Sequence, residues 1–167
     1  MFREMRRKRQ LLTMEQTEDI LRRNNTGTLA VSGDDGYPYS VPVNYVYSDG
    51  KIYIHGARAG HKIDAVKYCD KVSFSVIDRD TLVPEEFTTY FASAIVFGRA
   101  RLLESGNEFE ASIYALAKKH SPEATDDAVE NEVAKFRSSL CMICIDIEHM
   151  RGKEAIELVR QRKGEEK

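Results

Sequence analysis

The chain has 167 residues with 25 Lys+Arg against 27 Asp+Glu, a formal charge of −2. That length fits one domain with its own core, and the charge balance argues against a nucleic-acid binder, which carries a basic excess. Hydrophobic residues at 42% and charged residues at 31% exclude a disordered chain.

Residues 1–11 read as a basic arm of net charge +4, five Arg/Lys against Glu4. The arm leads into no apolar stretch of the kind that makes a secretory signal. No run approaches ~18 apolar residues, so no membrane helix is expected. Three cysteines without an export signal point to reduced thiols and a cytoplasmic location. Thr13 and Gln16 have capping-box spacing. Met14, Thr17, Ile20 and Leu21 then share a helical face, and the helix should stop by Asn24-Asn25. A short strand follows over 28–32, and Gly33-Asp34-Asp35-Gly36 supplies residues that tolerate positive φ, as a hairpin needs. Residues 37–47 read as one strand, pushed to an edge by Pro38 and Pro42. Ser48-Asp49-Gly50 is a second turn, and 51–55 a further strand.

A polar stretch, 56–62, leads into a short helix over 63–68, and 71–77 returns as strand. Residues 78–89 read as a loop. The long apolar run over 90–103 is a strand with Gly98 as a bulge or close approach. Residues 107–119 are amphipathic, with Ser105 and Glu108 at capping-box spacing. Pro122 separates this helix from an acidic one over 126–138. A last strand over 140–148 precedes a mixed-charge tail. Hairpins without regular βαβ alternation argue against a dinucleotide-binding sheet and for an antiparallel barrel with helices against it. The arm (1–11), a body (12–150) and the tail (151–167) are the expected divisions.

Cys141 and Cys144 lie three apart in a strand, so their side chains should face opposite ways, unlike a metal or redox pair. The histidines His55, His61, His120 and His149 show no zinc spacing, and a cation at His120 suits the end of a helix. No metal site is expected. There is no G-x-S-x-G, G-x-G-x-x-G or P-loop. The stretch 55–62 is more informative: it runs from strand through Gly56 and Gly60 into a helix start at His61-Lys62. Exposed N–H groups there suit a phosphate, and Lys62, His61 and Arg58 would add charge. A surface turn with solvated charges explains the same residues equally well. In Tyr39-Ser40-Val41-Pro42-Val43-Asn44-Tyr45, Pro42 leaves one ladder position unpaired and Asn44 offers a donor and an acceptor to a heterocycle. An ordinary edge strand is the plainer alternative.

Taken together the segments resemble the FMN-binding split-barrel superfamily of pyridoxamine 5′-phosphate oxidase-like proteins, nearest its nitroimidazole-resistance branch. The resemblance lies in Met5-Arg6-Arg7, Gly27-Thr28-Leu29-Ala30, Asp35-Gly36-Tyr37-Pro38 and Pro42-Val43-Asn44-Tyr45. It continues in Ile52-Tyr53-Ile54-His55-Gly56-Ala57, Gly60-His61-Lys62, Ser93 to Ala100, and Met150-Arg151-Gly152-Lys153-Glu154. It implies a mainly β fold with helices, a split β-barrel of six antiparallel Greek-key strands. It also implies a homodimer with FMN at the interface and a small-molecule substrate. By that resemblance Lys62 and His61 hold the phosphate, and His55 and Gly56 lie along the cofactor. Pro42, Val43 and Asn44 run beside the isoalloxazine, and Ser93 and Lys153 complete the site. His55 and Tyr45 are the candidate proton donors in a reduction of a small electrophile, such as a nitro-aromatic, with NAD(P)H as donor. A flavin carrier or sensor and a haem-binding split barrel are the alternatives. The oxidases proper have arginine where this chain has His61, and their substrate-gripping end is not matched by Ile156 to Arg162. Vitamin B6 oxidation is therefore not expected.

Overall fold

The computed structural model describes residues 2–164; Met1 of the arm and 165–167 of the tail lie outside them. A short 3-10 turn, Lys8–Gln10, precedes helix α1, Met14–Arg23. Thr13 caps α1 as its spacing predicts: its hydroxyl accepts from Gln16 N, and the Gln16 side chain accepts from Thr13 N. Seven strands follow among helices: β1 Thr26–Ser32, β2 Pro38–Asn44, β3 Val46–Ser48, β4 Lys51–Ala57, β5 Lys71–Val83, β6 Thr88–Leu103 and β7 Leu140–Glu154. Helix α2, His61–Tyr68, lies between β4 and β5. Helices α3, Asn107–His120, and α4, Asp126–Phe136, lie between β6 and β7, and α5, Ile156–Lys163, comes last.

All seven strands form one antiparallel sheet in the order β2-β1-β5-β6-β7-β4-β3. The expected six-strand barrel is thus, by its hydrogen bonds, an open sheet of seven. The residues expected as one strand over 37–47 divide at Tyr45, and the two parts sit on opposite edges of the sheet. Seven strands side by side would span about 29 Å, whereas one intervening residue reaches only about 7 Å. The sheet must therefore curl until its edges come together. The seam between them carries no ladder.

Turn residues behave as their chemistry predicts. Asp35 and Gly36, and then Asp49 and Gly50, all take positive φ. Gly98 sits at a register shift between β6 and β7, where Phe97 pairs with His149 and Gly98 with Ile147. A Cβ on Gly98 would overlap the carbonyl oxygen of Asp146.

Three expectations are corrected. Residues 78–89 are not a loop, because β5 and β6 run on as a hairpin pairing Arg79 with Ala92 through Val83 with Thr88. The last strand does not stop at 148 but continues to Glu154, and the tail then forms α5 over Ile156–Lys163. The Ser105–Glu108 capping box is absent: Gly106 is the N-cap of α3, with no side-chain bond. Glu108 is instead engaged by the sheet, accepting from Arg101, Lys51 Nζ (2.9 Å) and Tyr53 Oη (3.1 Å).

Two apolar cores follow from strand alternation. One fills the inside of the curl, with Leu29, Phe74, Val96, Ile54 and Ile143 meeting Ile20 and Leu21 of α1 and Ile63 of α2. The other lies on the outer face, where Phe109, Ile113 and Leu116 of α3 cover Val46, Tyr53 and Met142. Cys141 belongs to the first and Cys144 to the second, so the two sulfurs face opposite ways as predicted. Elsewhere on the outer face, Ile77, Ile95 and Phe97 stay exposed. The Phe2 ring stacks on His149 with centroids 4.6 Å apart.

Candidate functional site

Under α3 and α4 the outer face of the sheet ends in a cavity of about 620 Å³. Its apolar wall includes Ile113, Leu116, Val133, Phe136 and Met142, and its polar side chains include His55, Lys62, His120 and Glu132. Strand alternation places His55 there: it pairs with Met142 across the β4–β7 ladder, so both point outward. Lys62 arrives from the first turn of α2. Its stem passes over Gly56, and a Cβ at that position would lie 3.0 Å from Lys62 Cε. Gly56 is therefore the residue that lets the lysine reach the cavity. Gly60, at φ 123°, starts α2 with no side-chain cap. His120 comes from the last turn of α3.

Among the described residues the side chains of Lys62, His55 and His120 have no hydrogen-bond or ion-pair partner. Desolvation by the surrounding walls, then the Lys62 ammonium, then His120 lower the His55 imidazole below its usual pKa. Glu132 is already paired, 2.7 Å from Lys135 Nζ.

The remaining predicted residues lie elsewhere. His61 faces away from the cavity, its ring stacked on Tyr39 at 4.1 Å and its Nε2 3.7 Å from Asp34 Oδ2. Tyr45 is buried in the inner core, its hydroxyl donating to the Leu21 carbonyl at 2.8 Å. Burial, then the Asp78 carboxylate, push that phenol well above its usual pKa. Pro42, Val43 and Asn44 lie on edge strand β2, and the Asn44 amide makes long bonds to Asn25 O and Thr26 Oγ1, 3.3 and 3.4 Å. Ser93 and Lys153 pair with each other across β6 and β7, away from the cavity, with Lys153 Nζ 5.0 Å from the Phe91 ring centre. Of the predicted set, then, the cavity collects His55, Gly56 and Lys62. Sequence reading missed its α3–α4 wall. His120 had been explained by the helix dipole alone, and nothing in Leu116 or Phe136 distinguishes a cavity wall from a core.

Over residues 13–154 the sequence matches the family model described as pyridoxamine 5′-phosphate oxidase. The chain belongs to that family. Solved structures similar to this pyridoxamine 5′-phosphate oxidase-like chain agree on the fold. A conserved hypothetical protein of Mycobacterium tuberculosis is 20% identical, with 90% of each chain covered and a TM-score of 0.78. A candidate 5-nitroimidazole antibiotic resistance protein of Bacteroides thetaiotaomicron is 19% identical, with 86% of each chain covered and a TM-score of 0.71. An FAD- and haem-binding protein of Mycobacterium smegmatis is 17% identical, covering 86% of this chain and 71% of that one, with a TM-score of 0.66. No curated protein matches the sequence significantly.

Proposed function

We propose that this protein binds FMN and reduces a small electrophile, such as a nitro-aromatic, with NAD(P)H as donor. One observation carries the reading: an unpartnered lysine and a histidine open onto an apolar cavity large enough for a flavin ring. The residues fit the group. Lys62 supplies a fixed cation for the phosphate, Gly56 clears its path, and the α3–α4 wall excludes water from a planar ring.

When bound, the flavin supplies the electron chemistry. The protein's part is to hold the phosphate, keep the cavity dry and deliver a proton. Of the two proton-donor candidates His55 is favoured, because it reaches the cavity while the Tyr45 hydroxyl is committed to Leu21. Pro42, Val43, Asn44, Ser93 and Lys153 lie on an edge strand and on an outer face with exposed Ile77, Ile95 and Phe97. A second copy docked there would bring them to the cofactor, which supports the homodimer reading. His61 is proposed as a neighbour of the phosphate corner and not its ligand, given its place beside Asp34 and Tyr39.

Haem is a second reading, supported by two histidines, His55 and His120, on one apolar cavity. An absorption spectrum of purified protein titrated with FMN, and separately with haemin, decides between them. The expected result is saturable FMN binding that Lys62→Ala weakens by about 1.5–3 kcal/mol. A sharp Soret band with no flavin uptake would select haem, and binding of neither would refute both.

A further inference from the structure

The cavity holds three groups that can carry positive charge, brought from three different elements, and none has a counter-ion among the described residues: His55 of β4, Lys62 of α2 and His120 of α3. The other charged groups nearby are spoken for. Glu132 of α4 pairs with Lys135. Arg58 donates to the carbonyls of Leu140, Glu104 and Arg137. The two lysines before His120 are likewise engaged, Lys118 with Asp126 at 2.9 Å and Lys119 with the Asn24 carbonyl.

A lysine left without a counter-ion beside two imidazoles is a place that an anion would fill. We propose that His120, together with Lys62, completes a site for a dianionic phosphate monoester, leaving His55 to the proton transfer. His120 thus takes the place that the sequence gives to His61. The proposal rests on the flavin reading only for the identity of the ester.

The consequence is a linkage between phosphate and protons. A dianion binds best when the His120 imidazole is protonated, so binding draws a proton in. Affinity should tighten as pH falls from about 8.5 to about 6.5, before the ester itself protonates near pH 6.

The test compares FMN with riboflavin, which lacks the phosphate, by fluorescence titration of the full chain. His120→Gln should weaken FMN about tenfold while changing riboflavin by less than about twofold. The pH slope for FMN should flatten in that variant. His120→Lys should keep FMN affinity and lose the slope, which a purely structural role would not produce. Unchanged FMN affinity in His120→Gln, or equal losses for both flavins, would overturn the proposal. If the wild-type protein binds neither flavin, the flavin reading fails, and inorganic phosphate decides this one. Shifts of the His120 ring proton resonances on adding phosphate support it, and their absence overturns it.

Discussion

Replacing Glu108 by glutamine tests how α3 is held to the sheet. Its carboxylate accepts both guanidinium arms of Arg101 at 2.6 and 2.8 Å, the Lys51 ammonium at 2.9 Å and the Tyr53 hydroxyl at 3.1 Å. Bonds from Arg101, then Lys51, outweigh desolvation and pull the Glu108 pKa from an ordinary 4.5 down to about 2. Taken at face value that shift is worth about 3 kcal/mol. The side chain keeps 36% of its surface exposed, so solvent screening reduces the figure to about 1–2 kcal/mol.

The sign follows from the direction of the shift. A depressed folded-state pKa stabilises the protein fully above the unfolded value near 4.5, and the contribution is lost as pH falls towards 2. Urea unfolding at neutral pH should therefore show Glu108→Gln less stable by about 1–2 kcal/mol, with the gap closing below about pH 3. A gap equally large in acid, or none at neutral pH, would refute the reasoning. Because α3 carries His120 into the cavity, the variant should also loosen ligand binding in proportion.

Three further outcomes are expected. Gly98→Val should destabilise the fold by more than about 2 kcal/mol in thermal or urea unfolding, since its side chain would meet the Asp146 carbonyl and Ile145; near-wild-type stability would show that the bulge can give. Tyr45→Phe should cost about 1–2 kcal/mol by leaving a buried carbonyl of Leu21 without the phenol, and should leave flavin affinity unchanged. In the native protein a thiol reagent should modify Cys69 quickly but not Cys141 or Cys144, which are fully buried. Burial raises the Cys144 thiol to about 11. Fast reaction of two or more thiols would contradict that packing.

The local grammar of the fold was legible where one residue type has one physical use. Asp-Gly turns, the Thr13 cap and the opposed cysteines all follow from backbone preference or strand alternation. The hairpin over 78–89 was not legible, because Arg79, Asp80, Thr81 and Leu82 are all exposed and show no buried face to count. Nor was the end of β7. The bulge inserts Glu148 without a partner in β6, which shifts the alternation and hides the continuation to Glu154. At the site, the strand–glycine–lysine order pointed to His55, Gly56 and Lys62 correctly as neighbours. It could not tell that His61 and Lys62, adjacent in sequence at a helix start, point to different sides. It also could not reveal His120, about sixty residues away, because the α3–α4 packing that brings it in has the same apolar pattern as any helix on a sheet.

The single residue between β2 and β3 has a consequence for motion. Elsewhere neighbouring strands are held by rows of backbone bonds, but at Tyr45 covalent continuity stands in for them. Parting the two edges along this one line would break no ladder; what resists it is the packing of Tyr45 in the core and its bond to the Leu21 carbonyl of α1.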